Sequence, residues 1–319
     1  MKIIPLSIPT PFYIGDVNVY LIKEDPLTLI DVGPKTVAAE SVLREKLKRN
    51  GVEICDIKRI VLTHAHEDHF GLAKKIRRES NGAEIFVHKW ETGHLSGASK
   101  SAEMDDLLVR AGVPETVFDE LRAVYKNASA FSDSLADGEF SELKDESEIK
   151  FANGVLKVLH TPGHTPGSCC LLRESNRTLI AGDTILKRIT PNPIVAPDPF
   201  DKTKRFKSLG EYLVSLAKIK SCAPTLVGGG HGEPIDDFDE LFHRYVRSID
   251  ERQKNIISLV SNNGATAFEI AGKLFPDAAS QNFHRFLAIS ETVAHLDYAE
   301  SERKIAVELK DGVEIYRRF

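Results

Sequence analysis

Thr63-His64-Ala65-His66-Glu67-Asp68-His69 follows directly on the apolar run Ile60-Val61-Leu62. Three imidazoles and two carboxylates crowd into six residues. A globular fold does not keep that many titratable groups beside a strand end unless something neutralises or organises them. Divalent metal does both: imidazole suits Zn, Cu, Fe or Ni, and a carboxylate completes or bridges a coordination shell. The alternative, a solvated loop rich in His and acid, weakens once the rest of the chain is read.

The same setting recurs three times downstream. His164 lies in Leu159-His160-Thr161-Pro162-Gly163-His164-Thr165-Pro166-Gly167-Ser168, after the apolar run from Gly154. Asp183 lies in Ala181-Gly182-Asp183-Thr184, after Arg177 to Ile180. His231 lies in Gly228-Gly229-Gly230-His231-Gly232, after Pro224 to Val227. Each time, a partly β-branched run ends in a Gly- or Pro-rich turn that carries one ligand-type side chain. Strand ends are where layered α/β folds can aim several loops at one point. Asp31, closing the run Leu27 to Ile30, is a candidate to orient a ligand histidine through its second ring nitrogen. Glu67 reads as a solvent-facing residue at a helix start, where a carboxylate favours the positive end of the dipole. His160 reads equally as an orienting group or as a loop histidine. His88 and His94 flank Trp90, and a place in a substrate wall is the functional alternative to packing there. His243, His284 and His295 lack the strand-end context.

These motifs resemble those of the metallo-β-lactamase-fold hydrolases, whose main metal motif H-x-H-x-D-H is met here by His64, His66, Asp68 and His69. The later motifs are met by His164, Asp183 and His231, and the preceding Asp by Asp31. The resemblance runs over roughly residues 1 to 235. It implies a four-layer αββα sandwich. It also implies one metal on His64, His66 and His164, a second on Asp68, His69 and His231, and Asp183 as the bridge. Zinc is the expected ion, two per chain, with iron or manganese as alternatives. Two such ions lower the pKa of a shared water far below its bulk value of about 15.7. Asp68 and Asp183 are then the carboxylates at the reacting centre.

Composition is ordinary for a soluble globular protein: 319 residues, 42% hydrophobic and 28% charged, with a net charge of -5. That balance lacks the basic excess of an avid nucleic-acid or membrane binder. No apolar run approaches the 18 or so residues that span a bilayer, and no signal peptide is visible at Met1-Lys2-Ile3-Ile4-Pro5. The cysteines Cys55, Cys169, Cys170 and Cys222 form no Cys-x-x-Cys pair and read as reduced thiols. The expected compartment is therefore the cytoplasm.

Along the chain, Val17 to Ile22 and Leu27 to Ile30 read as a hairpin. Val37 to Lys48 reads as an amphipathic helix closed by Asn50-Gly51, Asp68 to Arg78 as a helix, and Ala83 to Val87 as a strand. Residues 97–135 read as a helical insertion broken at Gly112-Val113-Pro114, either padding or a lid over the site. Strands resume near Glu148. After His231 come a long helix (Asp236 to Val260), a second capped by Thr266 (Ala267 to Phe275), and a third (Asn282 to Tyr298). A hairpin turning at Asp311-Gly312 ends the chain. Three helices and a hairpin resemble the winged-helix C-terminal domain of the subfamily that includes β-lactamase-like protein 2. The expected domains are thus 1–235, catalytic, and 236–319, winged-helix-like.

Winged helices often bind DNA, so a DNA-binding regulator is one alternative. Against it, residues 240–319 carry 11 Lys/Arg and 12 Asp/Glu, and the third helix offers only Arg285, where a DNA reader needs a basic stripe. The same segment could instead cover the metal cleft or form a subunit contact in a homodimer. The resemblance leaves the scissile bond open among ester, thioester and phosphodiester. Asp183 stands where Cys-ligand β-lactamases carry Cys, which argues against antibiotic hydrolysis. The related subfamily includes a single-strand RNA endonuclease, and Lys187, Arg188, Lys202, Lys204 and Arg205 are the cations that could meet phosphates. Iron oxidoreductases such as persulfide dioxygenases share the fold but use a reduced ligand set, whereas all seven positions are filled here.

Overall fold

Alternation along the strands decides the layers. In the strand Cys169–Arg173, Cys169 and Leu171 face one way while Cys170 and Leu172 face the other, and all four are buried. In Val17–Ile22, Val19 and Leu21 face one core, Tyr20 and Ile22 another. Period-two side chains with both sets apolar belong to sheets covered on both faces. The computed structural model describes residues 1–97 and 101–319, so positions 98–100 of the expected insertion lie outside the described residues.

Two sheets carry this alternation. The first runs β1-β2-β3-β4-β5-β6, namely Ile3–Ile8, Val17–Ile22, Thr28–Ile30, Arg59–Val61, Glu84–His88 and Ser141–Leu143. The second runs β11-β10-β9-β8-β7, namely Leu226–Gly229, Thr178–Gly182, Cys169–Arg173, Gly154–His160 and Glu148–Phe151. Tyr20, Ile22, Ile30 and Val61 of the first sheet meet Leu156, Val158, Leu171 and Ile180 of the second in the inter-sheet core. Helices α1 (Val37–Arg49), α2 (Glu67–Phe70) and α3 (Ala73–Glu79) cover the outer face of the first sheet through Leu43, Leu47, Phe70 and Ile76. This is the expected αββα sandwich. The expected single helix from Asp68 to Arg78 is broken at Gly71-Leu72. There Leu72 N donates to Gly33 O at 3.1 Å instead of to a carbonyl of its own helix, and Gly71 leaves room for the Phe131 carbonyl and Lys35 N, which a Cβ would meet at 2.3 and 2.5 Å.

A short helix, α4 (Thr92–Leu95), follows β5. The insertion forms α5 (Ser101–Arg110) and α6 (Glu115–Ser129), and α7 (Ser208–Ser221) covers the second sheet with Leu209, Tyr212 and Leu216. The last part of the chain holds α8 (Phe238–Leu259), α9 (Ala267–Leu274), α10 (Asn282–Ser301) and the hairpin β12–β13 (Ile305–Lys310, Val313–Arg318). Thr266 caps α9 in a reciprocal box with Glu269. Phe286, Ile289, Val293 and Leu296 form the buried stripe of α10 that the spacing predicts, and they share one core with Leu107, Leu108 and Leu121 of the insertion. α8 adds Leu241, Tyr245 and Ile249 to the layer over the second sheet. The tail is thus woven into both the insertion and the sandwich. Among the described residues no helix is long and apolar enough to cross a membrane.

Candidate metal centre

Every candidate ligand stands just beyond the C-terminal end of a strand: His64 to His69 after β4, His164 after β8, Asp183 after β10 and His231 after β11. β3 and β4 are parallel neighbours, as are β10 and β11. Their ends therefore open on the same edge, and the loops converge. His64, His66 and His164 form one group; His64, His69 and Asp183 a second; Asp68, His69 and His231 a third, with ligand atoms within 4.8 Å of one another in each. All seven predicted positions are brought together.

In the first group, His66 Nδ1 lies 3.1 Å from both His64 Nε2 and His164 Nε2. Tetrahedral bonds of about 2.0–2.1 Å to nitrogen separate neighbouring ligands by about 3.3 Å, so this triangle is of the right size. In the second region, His69 Nε2 is 3.4 Å from Asp183 Oδ1, and His231 Nε2 is 3.3 Å from Asp68 Oδ2 and 3.5 Å from Asp183 Oδ2. Asp183 Oδ2 is also 3.8 Å from His164 Nε2, which sets this carboxylate between the two groups. Gly230 permits the approach: a Cβ there would strike Asp183 Oδ1 at 2.1 Å and His69 Cε1 at 2.7 Å.

Four of the five ring nitrogens facing away from the centre are held. His69 Nδ1 donates to Asp31 Oδ2 at 2.8 Å, the orienting role expected of Asp31. Asp31 also accepts from Thr63 N and Thr63 Oγ1, both at 2.8 Å, and sits in the left-handed region at φ 57°, a conformation short polar residues tolerate and functional sites collect. His164 Nδ1 donates to the Asn192 carbonyl at 3.0 Å, and His231 Nδ1 to that of Asp16 at 2.9 Å. His64 Nδ1 lies 3.1 Å from Thr63 Oγ1. By contrast, His69 Nε2, His231 Nε2 and Asp183 Oδ1 are buried and make no hydrogen bond. Buried polar atoms without partners are rare and costly. Three of them, two on imidazoles whose Nδ1 is already bonded, fit a bound cation.

Electrostatics divide the site in two. Burial pushes the pKa of His64 well below the ordinary imidazole value, holds His66 at about 3 and lowers His164. Burial also opposes a charge on His69 and His231, but there the carboxylates outweigh it. Asp183 leads in raising both, with His231 reaching about 10. Burial works against the Asp183 and Asp68 anions as well, yet the facing imidazoles hold both below the usual carboxylate range. Without metal, then, protons on His69 and His231 offset the two carboxylates. Metal ligation needs neutral imidazole, so a cation would displace those protons.

The centre opens into a cavity of about 2060 Å³, larger than the roughly 300–1,000 Å³ of ordinary ligand pockets. Phe12, Tyr13 and Ile14 line it from the β1–β2 loop, Met104 and Arg122 from the insertion, and Phe283 and Leu287 from α10. Insertion and tail therefore both form walls of the site. Trp90 and His94 line the cavity too. His88 does not: it is buried and stacked on His160, their ring centroids 3.9 Å apart. His160 stays outside the ligand groups and bonds the Pro166 carbonyl. Glu67, expected to face solvent, turns into the cavity and meets His94 at 3.1 Å. Of the five cations that could meet phosphate, Lys187, Arg188 and Lys202 line the cavity. Arg205 is a correction. It is buried and bonded to Asp297 and Tyr316, so it cannot reach a ligand. Lys204 pairs with Asp201 at 3.0 Å.

Sequence reading missed Glu91. It is 3% exposed; Oε2 accepts from Ala65 N at 2.8 Å, and Oε1 from Thr165 Oγ1 at 2.8 Å and Gly167 N at 2.6 Å. It missed Asn192 as well, whose carbonyl holds His164 and whose amide donates to Leu287 O of α10 at 3.1 Å. Neither lies in a local pattern that marks it.

Residues 13–231 match the metallo-beta-lactamase superfamily. The chain is 34% identical over 311 residues to the probable metallo-hydrolase YqjP of Bacillus subtilis (strain 168), covering 95% of this chain and 93% of that protein. It is 24% identical over 273 residues to a beta-lactamase-like protein 2 homolog of Caenorhabditis elegans, covering 85% and 74%. Its fold superposes on the crystal structure of a metallo-beta-lactamase family protein from Thermus thermophilus with a TM-score of 0.85, at 26% identity and covering 99% and 98% of the two chains.

Proposed function

We propose that this chain, which belongs to the metallo-β-lactamase superfamily, is a hydrolase of ester, thioester or phosphodiester bonds that works with two divalent metals, zinc foremost. The observation that carries this is the convergence of seven His and Asp side chains around three buried atoms that lack hydrogen bonds. His64, His66 and His164 would hold one ion, and Asp68, His69 and His231 the other, with Asp183 shared. Bound metal supplies Lewis acidity and a water activated at neutral pH. The protein's own residues do the rest. Asp31, the Asn192 carbonyl and the Asp16 carbonyl orient the ligand rings. The cavity walls would hold the substrate against the centre.

The cavity's size supports a substrate larger than a simple metabolite, and Lys187 and Lys202 on its wall keep RNA among the candidates. Residues 1–235 would form the catalytic unit and 236–319 a winged-helix-like unit given over to the cavity wall. Arg285, the sole Lys or Arg of α10, pairs with Glu120, which does not favour duplex DNA reading. The four free thiols favour a cytoplasmic setting. The deciding experiment is a panel on zinc-loaded protein: p-nitrophenyl esters, thioesters, lactones, bis(p-nitrophenyl) phosphate, single-stranded RNA and a cephalosporin. Turnover of an ester, a thioester or a phosphodiester, lost on chelation, is expected. RNA cleavage, if seen, should weaken with salt as counterions compete for the Lys contacts. Cephalosporin turnover near the enzyme median of about 10 s⁻¹, with the others inert, would refute this reading.

A further inference from the structure

Glu91 closes the turn Lys89–Glu91 after β5, away from all four ligand-bearing loops in sequence. Its two oxygens nonetheless tie two of those loops together. Ala65, whose N–H it accepts, lies between His64 and His66. Thr165, whose hydroxyl it accepts, follows His164, and Gly167 N–H adds a third bond. The three residues of one ligand group thus hang on two peptide segments joined by one carboxylate. The loops come from different sheets, β4 in the first and β8 in the second. They also share the backbone bond Cys169 N to Thr63 O at 2.8 Å, which fixes their strand-side ends. Glu91 acts at the other end, where the ligands are.

The chemistry of the residue fits that task. A buried carboxylate is costly unless charge-assisted hydrogen bonds satisfy it, and three donors do so here. Among the described residues it has no Lys or Arg partner within ion-pair distance, so it does not serve as half of a salt bridge. The fit is close: a Cβ on Gly167 would lie 2.6 Å from Glu91 Cγ and 2.7 Å from Oε1. Gln has the same shape but turns an NH₂ toward one of the three donors. Asp is one methylene too short to reach both loops.

We propose that Glu91 is a positioning residue for the His64–His66–His164 group, holding the two loops at the separation a metal ion requires. The proposal rests on the metal reading above. The test is zinc affinity, measured by competition with a chromophoric chelator, for wild type, Glu91→Gln and Thr165→Val, each shown folded by circular dichroism. The Gln variant should bind zinc roughly 10–100-fold more weakly, the range for lost orienting partners. Thr165→Val, which removes one bond of the three, should shift affinity the same way by less. Unchanged affinity in folded Glu91→Gln overturns the proposal, whatever its unfolding midpoint, because a purely structural residue would lower stability alone. Should that variant not fold, unchanged affinity in Thr165→Val overturns it instead. A wild-type protein that binds neither zinc, iron nor manganese refutes the metal reading itself, a result distinct from either.

Discussion

Two clusters of buried charge sit in this molecule, and they are finished differently. Around Arg205, each charged group has a partner. Its guanidinium bonds Asp297 at 2.5 and 2.6 Å and Tyr316 at 3.0 Å and meets Glu314 at 2.6 Å, while Arg110 and Lys207 take up the remaining carboxylate capacity. Around Asp183, four outward ring nitrogens are bonded, but three inward atoms make no hydrogen bond and meet their neighbours as ion pairs at 3.3–3.5 Å. Burial costs of the same kind are offset within the chain in one place and left open in the other. The first cluster fastens α10 and β13 to the loop before α7; the second has the donor set of a cation site. Pairing, more than burial or charge, separates structure from site here.

The sharpest way to break this comparison is to remove the shared carboxylate. Asp183→Ala should lower kcat/KM by more than the roughly 10–100-fold of an outer-shell loss, while the metal-free protein stays folded. Wild-type turnover in that variant would remove the distinction. In the other cluster, Arg205→Met should leave metal content unchanged and lower stability by about 3–5 kcal/mol, since Asp297 and Glu314 lose their buried cation. Denaturant unfolding and elemental analysis together read both. Truncation of the chain near Asp236 comes next. It would strip Phe286, Ile289 and Val293 from the insertion's core and the α10 wall from the cavity. Lower solubility or an altered substrate range should follow, while the isolated tail should not retard duplex DNA near 0.15 M salt.

The smallest effect is in pH. Burial would raise the Glu314 pKa, but Arg205 outweighs it and brings it down to about 2 from an ordinary 4.5. A depressed carboxylate stabilises the fold fully above pH 4.5, and that contribution drains away as pH falls toward 2. Glu314→Gln should therefore be less stable than wild type at pH 6, with the gap narrowing steadily below pH 4.5. A gap independent of pH would show that Glu314 is held by packing and not by charge.

The two clusters also differ in how far sequence reveals them. The His and Asp loops were legible because each ligand sits within a few residues of an apolar strand and a Gly or Pro turn. The αββα layering came through the resemblance those motifs carry, and the buried alternation of both sheets agrees with it. The Arg205 network was not: Arg205 and Asp297 are 92 positions apart, and Arg205 in sequence looks like one more cation of a basic loop. Glu91 was hidden for the same reason, its donors lying 26, 74 and 76 positions away. The helix expected from Asp68 to Arg78 breaks at Gly71-Leu72, where Leu72 N bonds the Gly33 carbonyl, 39 positions back. Contacts of that separation leave no periodic trace.

The most direct test of the central claim is the metal content of protein purified without added metal, read by elemental analysis beside turnover of the best substrate in the panel. The account predicts about two divalent ions per chain, activity that disappears with chelation, and release of protons when metal is restored, as His69 and His231 give up theirs. A single ion per chain with full activity would contradict it.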